Sequence, residues 1–299
     1  DPDQVAQALN QANDPWKEIQ CAHRGAYLGF VVGPGKGNRS WEKPLQKAKA
    51  RVPSWPWTTL GLHYSATVYN TYVLPTLTFV AQLERPPLAA KRQEEDTLAK
   101  IAVGPNNWFQ TKDMFLLEEA YGLPYRFRSL AHTALAAQLR VAMWEDGADG
   151  GLRVREQAEY LRSLLARHRE DDRRWDWNAW YHKSFILQLE RTLDLFQRMG
   201  VTPESMLREF TDDAPRPWDK QTMQRAKRAT QRRAYQHLMA YYQQHAWARM
   251  HKKLRRWYPP EPPPHITSVV LERLRALRPL VAPRVHTAVF STLWNRWMT

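Results

Sequence analysis

Cysteine is almost absent from this sequence, and so are long hydrophobic runs. A single cysteine, Cys21, occurs among 299 residues, which excludes an internal disulfide framework and a zinc site built from several of its own thiolates. The most apolar stretch, residues 68–80, is too short for a transmembrane helix and contains Asn70 and Pro75. We therefore expect an intracellular protein, in a reducing compartment, with no segment that spans a membrane.

The short motifs that identify common enzyme families are missing as well. The chain has no P-loop, dinucleotide-binding, nucleophile-elbow or zinc-protease motif. The glycine-rich segment 33–37 lacks the Lys-Ser/Thr pair of a phosphate loop, so it predicts a turn after a strand. The acid pairs Asp171 with Asp172 and Asp212 with Asp213 lie among basic residues or before a proline, which favours surface or capping roles. We predict no catalytic residue, no metal ligand and no cofactor in this chain.

Acidic residues are scarce relative to basic ones. The sequence has 44 Lys and Arg against 30 Asp and Glu, a formal net charge of +14 and a pI near 10.0. Such an excess favours polyanionic partners, with nucleic acid first and an anionic membrane surface second. The 14 tryptophans supply more bulky apolar surface than a disordered basic tail carries, so most of the chain is expected to fold.

Helical periodicity dominates the chain, and only residues 26–32 predict a β-strand. The fold class is therefore predicted to be mainly α. The predicted helices cover residues 41–52, 61–74, a continuation to 83, 88–103, 111–121, 129–145, 152–169, 177–199, 216–257, 266–278 and 281–297.

The longest of these helices, residues 216–257, carries most of the excess charge. Residues 216–256 contain twelve cations and the single acid Asp219, a net charge of +11. One apolar stripe is predicted along it, at Ala234, Leu238, Tyr241, His245, Met250, Leu254 and Trp257. Solvated faces normally intersperse both signs, so polyanion binding is favoured over a solvated face or a membrane-surface helix, which both stay open. Tyr235, Tyr242 and Trp247 are candidates either for stacking on unpaired bases or for the core.

The predicted nucleic-acid contacts are cations on this helix and on helix 41–52. They are Lys43, Lys47, Lys49, Arg51, Arg225, Lys227, Arg228, Arg232, Arg233, Lys252, Lys253, Arg255 and Arg256.

Two sequence blocks near the start of the chain lie in a distinctive order. The first is Ala-Tyr-Leu-Gly-Phe-Val-Val-Gly-Pro-Gly at residues 26–35, followed by Trp41, Lys47, Arg51 and Trp55. The second, residues 69–83, is Tyr-Asn-Thr-Tyr-Val-Leu-Pro-Thr-Leu-Thr-Phe-Val-Ala-Gln-Leu. Together they resemble non-LTR (LINE-type) retrotransposon reverse transcriptases, which are RNA-directed DNA polymerases. In that family a Tyr-Leu-Gly strand follows the catalytic strands of the palm, and a helical thumb with a Leu-Pro-x-Leu-x-Tyr/Phe pattern comes next.

The resemblance implies a fragment that holds template and primer. The family's catalytic Phe/Tyr-x-Asp-Asp hairpin is not in this chain, and Mg²⁺ is expected only in that missing catalytic part. We expect RNA and/or DNA as partners, bound through phosphates, together with the missing N-terminal palm and fingers of the same polypeptide, and a nuclear location. The chain begins at Asp1 and ends inside an apolar pattern, so we expect an excerpt of a longer polypeptide. The open alternative is a free-standing, non-enzymatic, basic helical protein that binds RNA or DNA.

Four regions follow from the breaks in the pattern and from the resemblance. Residues 1–85 are the end of the palm and a helical thumb-like region, and residues 86–150 are a helical connection. Residues 151–258 form a helical region with the basic helix, and residues 259–299 are a proline-rich spacer with C-terminal helices.

Overall fold

α-Helix is the dominant element in the computed structural model of this chain, which confirms the predicted mainly α fold class. The structure describes residues 2–11, 22, 24–33, 36–102, 110–144, 151–169, 184–202, 205–206, 219–255, 262–263 and 265–294. Within these ranges the helices are α1 Pro2–Gln11, α2 Glu42–Arg51, α3 Trp57–Val68, α4 Pro75–Ala81, α5 Leu88–Ile101, α6 Thr111–Met114, α7 Leu130–Trp144, α8 Leu152–Arg169, α9 Phe185–Arg198, α10 Lys220–Leu254, α11 Ile266–Leu277 and α12 Pro283–Leu293.

The segment predicted as one strand is a hairpin of two short strands. Strand β1, Gly25–Tyr27, pairs antiparallel with β2, Phe30–Val32. Leu28 and Gly29 both have positive φ, +47° and +86°, and this left-handed pair reverses the chain in two residues. The apolar run continues through the turn, so the sequence pattern alone does not reveal the break. Phe30 is the buried member of the hairpin and packs against Phe79 and Phe185, whereas Tyr27 is exposed.

The region that follows the hairpin packs around Trp41, which is buried. Helix α2 lies against α4, and a π-helical turn, Tyr69–Val73, joins α3 to α4. The indole of Trp57 donates a hydrogen bond to the Val52 carbonyl over 2.7 Å, which closes the corner between α2 and α3. The expected helix at 61–74 therefore begins earlier and changes to π geometry, and Gly61, at φ +67°, interrupts it.

Helix α7 lies at the centre of the molecule. It packs against α4, α5, α9 and α10, and its alanine-rich sequence lets these helices approach closely. Two buried polar links fix the arrangement. The Gln138 amide donates to the Ala81 carbonyl and accepts from the Thr192 hydroxyl, while the Trp144 indole donates to the Thr230 hydroxyl over 3.1 Å. Helix α10 is thereby fixed to α7 at a position that sequence periodicity does not specify.

The C-terminal helices return to the beginning of the fold. Helix α11 packs against α10 and α12, and α12 packs against α3. The Tyr125 and Thr287 hydroxyls lie 2.6 Å apart and share a hydrogen bond. Buried apolar side chains from all four predicted regions belong to one continuous core, and the boundaries between those regions stay predictions. Among the described helices, none combines the length and the apolar character that crossing a membrane requires.

Candidate nucleic-acid interface

Helix α10 is about 52 Å long at the usual rise per residue. The described part of this basic helix contains no acidic residue after its N-cap. Asp219 is that cap: its carboxylate accepts a hydrogen bond from the Thr222 amide over 2.6 Å, and hydrogen bonding by the Thr222 side chain and by this amide lowers the pKa of the carboxyl. The single acid in the predicted basic segment therefore serves the helix terminus. It does not offset the cations further along.

Ala234, Leu238, Met250 and Leu254 of the predicted apolar stripe are buried, which confirms those members, while Trp257 and the His245 side chain lie outside the described part of the chain. Successive buried residues lie four apart, at Ala226, Thr230, Ala234 and Leu238, so the stripe advances about 40° around the helix at each step. Tyr241 lies seven residues after Ala234, so it does not follow the four-residue spacing of the buried residues. Its side chain is 61 % exposed. The prediction that Tyr241 packs in the stripe is wrong for that reason.

The aromatic candidates for base stacking divide into different environments. The Tyr235 ring is buried, and its hydroxyl accepts a hydrogen bond from the Ser129 amide over 3.1 Å. Tyr235 therefore belongs to the core. The Tyr242 ring is half-buried beside His132, with 4.7 Å between ring centroids, and Trp247 is exposed.

Four arginines surround one cleft of about 390 Å³ beside the first half of α10. Arg228 and Arg232 come from α10, while Arg126 and Arg128 come from the extended segment that leads into α7. Arg126 also pairs with Glu119, with 2.6 Å between nitrogen and oxygen. The other three are exposed and form no salt bridge with an acid of the described chain. Guanidinium groups gathered in this way suit the bidentate recognition of phosphate.

The backbone of the arginine segment is held by Asn70, in the π-helical turn. The Asn70 side chain donates to the Arg126 carbonyl over 2.8 Å and accepts from the Arg128 amide over 2.9 Å. Asn70 belongs to the second sequence block, so that block positions two of the four cleft arginines.

A buried carboxyl fixes the start of α7 next to the cleft. Glu94 Oε1 accepts hydrogen bonds from the Tyr69 hydroxyl over 2.8 Å and from the Leu130 amide over 2.6 Å. Burial raises the pKa of Glu94 to about 7, even though both hydrogen bonds favour the charged form. The helix that forms one wall of the cleft is thus anchored by a titratable group.

The other predicted contacts on α10 do not line this cleft. Arg225 is exposed, Lys227 is half-buried, and Arg233 donates to the Met206 carbonyl over 2.9 Å. At the far end of the helix, Lys252 and Arg255 are exposed and Lys253 is half-buried. Arg256 lies outside the described residues.

The predicted contacts on α2 form a separate group that does not line the cleft. Lys43, Lys47 and Lys49 are exposed, and Arg51 donates to the Tyr72 carbonyl over 2.5 Å.

Sequence reasoning missed Arg126 and Arg128 because they lie outside any helical pattern. A weaker signal was present: residues 125–128 alternate, with Tyr125 and Phe127 buried and the two arginines directed outward.

Arg249, by contrast, is a cation of α10 with a structural role. It pairs with the buried Asp113, 2.6 Å away, which also accepts from the Tyr121 hydroxyl.

Metal binding finds no support within the described ranges, where no three His, Cys, Asp or Glu side chains cluster in a way that could hold an ion. Asp171, Asp172, Asp212 and Asp213 lie outside those ranges. Comparison with models of known families finds no match, and comparisons with curated proteins and with solved structures find none either.

Proposed function

We propose that this chain binds nucleic acid through its phosphates, at the arginine cleft and along the exposed cations of α10. The observation that carries the proposal is the convergence of Arg126 and Arg128 with Arg228 and Arg232, about a hundred residues later, around one concave site. A polyanion replaces the mutual repulsion of such groups by charge-assisted hydrogen bonds.

A solvated basic face accounts less well for this arrangement. Exposed arginines on a solvated face are free to spread apart, whereas Asn70 holds the segment of Arg126 and Arg128 in place with two hydrogen bonds. A membrane-surface helix also fits poorly, because such a helix presents its apolar face to lipid. The apolar face of α10 is buried against α7.

The resemblance to non-LTR reverse transcriptases suggests the more specific role. We propose that the chain is the part of such an enzyme that holds template and primer, and that the palm and fingers supply the catalytic aspartates with their Mg²⁺. Asn70 supports this, since it lies in the resembling block and fixes the cleft. The coding sequence upstream of Asp1 separates this role from a free-standing binding protein. A Phe/Tyr-x-Asp-Asp hairpin encoded there supports the enzyme, and its absence contradicts it.

Binding itself is tested by the fluorescence anisotropy of a labelled single-stranded oligonucleotide that is titrated with the protein. The titration is repeated at salt concentrations from 50 to 200 mM. Each phosphate contact contributes a slope of about −0.7 to the plot of log affinity against log salt concentration. Contact with the four cleft arginines alone predicts a slope near −3. Affinity that does not change with salt contradicts the proposal.

A further inference from the structure

A second cavity, of about 540 Å³, lies further along the same side of α10. It is enclosed by α5, α6, the start of α7 and the second half of α10, and its volume is in the range of small-ligand sites. Tyr242, which lines this cavity, follows Arg232 of the arginine cleft by ten residues, or about 15 Å along the helix. One bound strand is long enough to occupy both sites.

The lining of the cavity includes a carboxyl group, Glu94, of which only one oxygen accepts hydrogen bonds from the described residues. Glu94 is 7 % exposed, and its Oε1 is committed to Tyr69 and Leu130. Its Oε2 receives no hydrogen bond from any residue that the structure describes, although Glu94 lines the cavity. A carboxylate oxygen has more than one acceptor position, so Glu94 Oε2 is available to a ligand that donates a hydrogen bond from the cavity.

The walls and the mouth of the cavity suit a planar group attached to a phosphate. His132 and Tyr242 supply adjacent aromatic surfaces, and Leu116 is an apolar residue in the lining. The exposed Lys91 and Lys112 also line the cavity, so cations stand where it opens to solvent. Aromatic rings and flanking cations together are the usual means of holding an unpaired nucleotide.

We propose that this cavity receives one unpaired nucleobase bearing an exocyclic amino group, such as cytosine, which donates a hydrogen bond to Glu94 Oε2. The inference rests on the proposed function, since the base belongs to the strand whose phosphates occupy the arginine cleft. Uracil is the matched counter-ligand, because it has a carbonyl acceptor where cytosine has the amino donor. Two acceptors facing each other repel, so the cavity discriminates against uracil.

The test compares oligo-dC with oligo-dU of equal length, at pH 8, where a carboxyl of pKa about 7 is ionised. The wild-type protein is expected to bind oligo-dC about tenfold more tightly, the size of one buried hydrogen bond to a charged group. Glu94→Gln keeps an oxygen for Tyr69 and Leu130 and turns an amide donor toward the cavity. The preference is therefore expected to reverse toward oligo-dU.

A second pair of variants tests the cavity without altering the carboxyl. Ala248 is exposed and lines the cavity, whereas Ala240 is exposed on the same helix and does not. Ala248→Trp narrows the entrance and is expected to abolish the preference for oligo-dC, and Ala240→Trp is expected to retain it. Titration with CMP and UMP alone shows whether a free nucleotide is also accepted.

The outcomes separate this inference from the proposed function. Salt-dependent binding of both oligonucleotides with equal affinity overturns the cavity proposal and leaves phosphate binding standing. Failure to bind either one overturns both. A preference for oligo-dC that survives Glu94→Gln also contradicts the role given to this carboxyl.

Discussion

At the scale of single residues, Glu94 couples the stability of the fold to pH. Burial raises the pKa of this carboxyl from 4.5 to about 7, so the folded protein holds the proton more tightly than the unfolded chain. The stabilisation is complete below pH 4.5 and is lost as the pH rises through 7. A shift of this size corresponds to a fall in the free energy of unfolding on the order of 3 kcal/mol.

Glu94→Gln is expected to remove that fall, because the amide keeps the acceptor for Tyr69 and Leu130 but does not ionise. Urea denaturation at pH 5 and pH 8 measures the difference. Glu272→Gln, at an exposed acid of α11, is the control and is expected to keep the pH dependence of the wild type. Identical pH profiles for the wild type and Glu94→Gln contradict the assignment.

Gly122 is required both for its backbone conformation and for the close approach of α11. Comparison with Gly200, which has only the first requirement, separates the two effects. Its φ is +72°, and a Cβ added there meets the Arg275 backbone at 2.8 Å. Gly200 has a similar φ of +74° with nothing within 4 Å. Gly200→Ala is expected to cost about 1 kcal/mol for the backbone conformation alone, and Gly122→Ala about 1 to 3 kcal/mol more for the clash with α11. Equal losses in thermal denaturation would show that α11 does not approach this turn.

At the scale of elements, the packing of β2 and α4 around the turn that leads into α2 depends on Trp41. Truncating this buried side chain to alanine is expected to cost about 3 to 5 kcal/mol. Tyr64→Ala, at an exposed aromatic residue of α3, is the control and is expected to change stability by less than about 0.5 kcal/mol. Unchanged thermal unfolding of the Trp41 variant would contradict the packing described for this region.

Local periodicity predicted some elements closely and others only partly. The helix predicted at 152–169 coincides with α8, because its pattern is uninterrupted and glycine precedes it. The predicted helix at 111–121 is α-helical only over Thr111–Met114 and continues as turns. There, the buried Asp113 takes hydrogen bonds from Tyr121 and Arg249, which are long-range or non-helical contacts that no local pattern encodes.

At the scale of the whole molecule, the sequence predicted the charge but not the site. The excess of cations in the basic helix is visible in composition alone. The cleft depends on the contact of α10 with α7, which brings Arg126 and Arg128 to Arg228 and Arg232. Residues that far apart come together only through tertiary packing, such as the hydrogen bond between Trp144 and Thr230. Sequence reasoning therefore identified half of the arginines around the cleft.

The electrostatic consequence also belongs to the whole molecule. A net charge of +14 attracts any polyanion over long range and is screened by salt. Specific phosphate contacts at the cleft add to this general attraction. The two contributions are separable, because the same number of charge deletions on another surface lowers the general attraction equally and leaves the cleft intact.

The most direct test of the central claim compares two triple variants of equal net charge. Arg128, Arg228 and Arg232 are changed to glutamine in the first, and the exposed Arg198, Arg273 and Arg284, which do not line the cleft, are changed in the second. Affinity for a single-stranded oligonucleotide is measured across the same salt series. The cleft variant is expected to flatten the log-log slope by about two, because three phosphate contacts are lost, while the control changes it by less than one. Equal slopes for the two variants would contradict phosphate binding at the cleft.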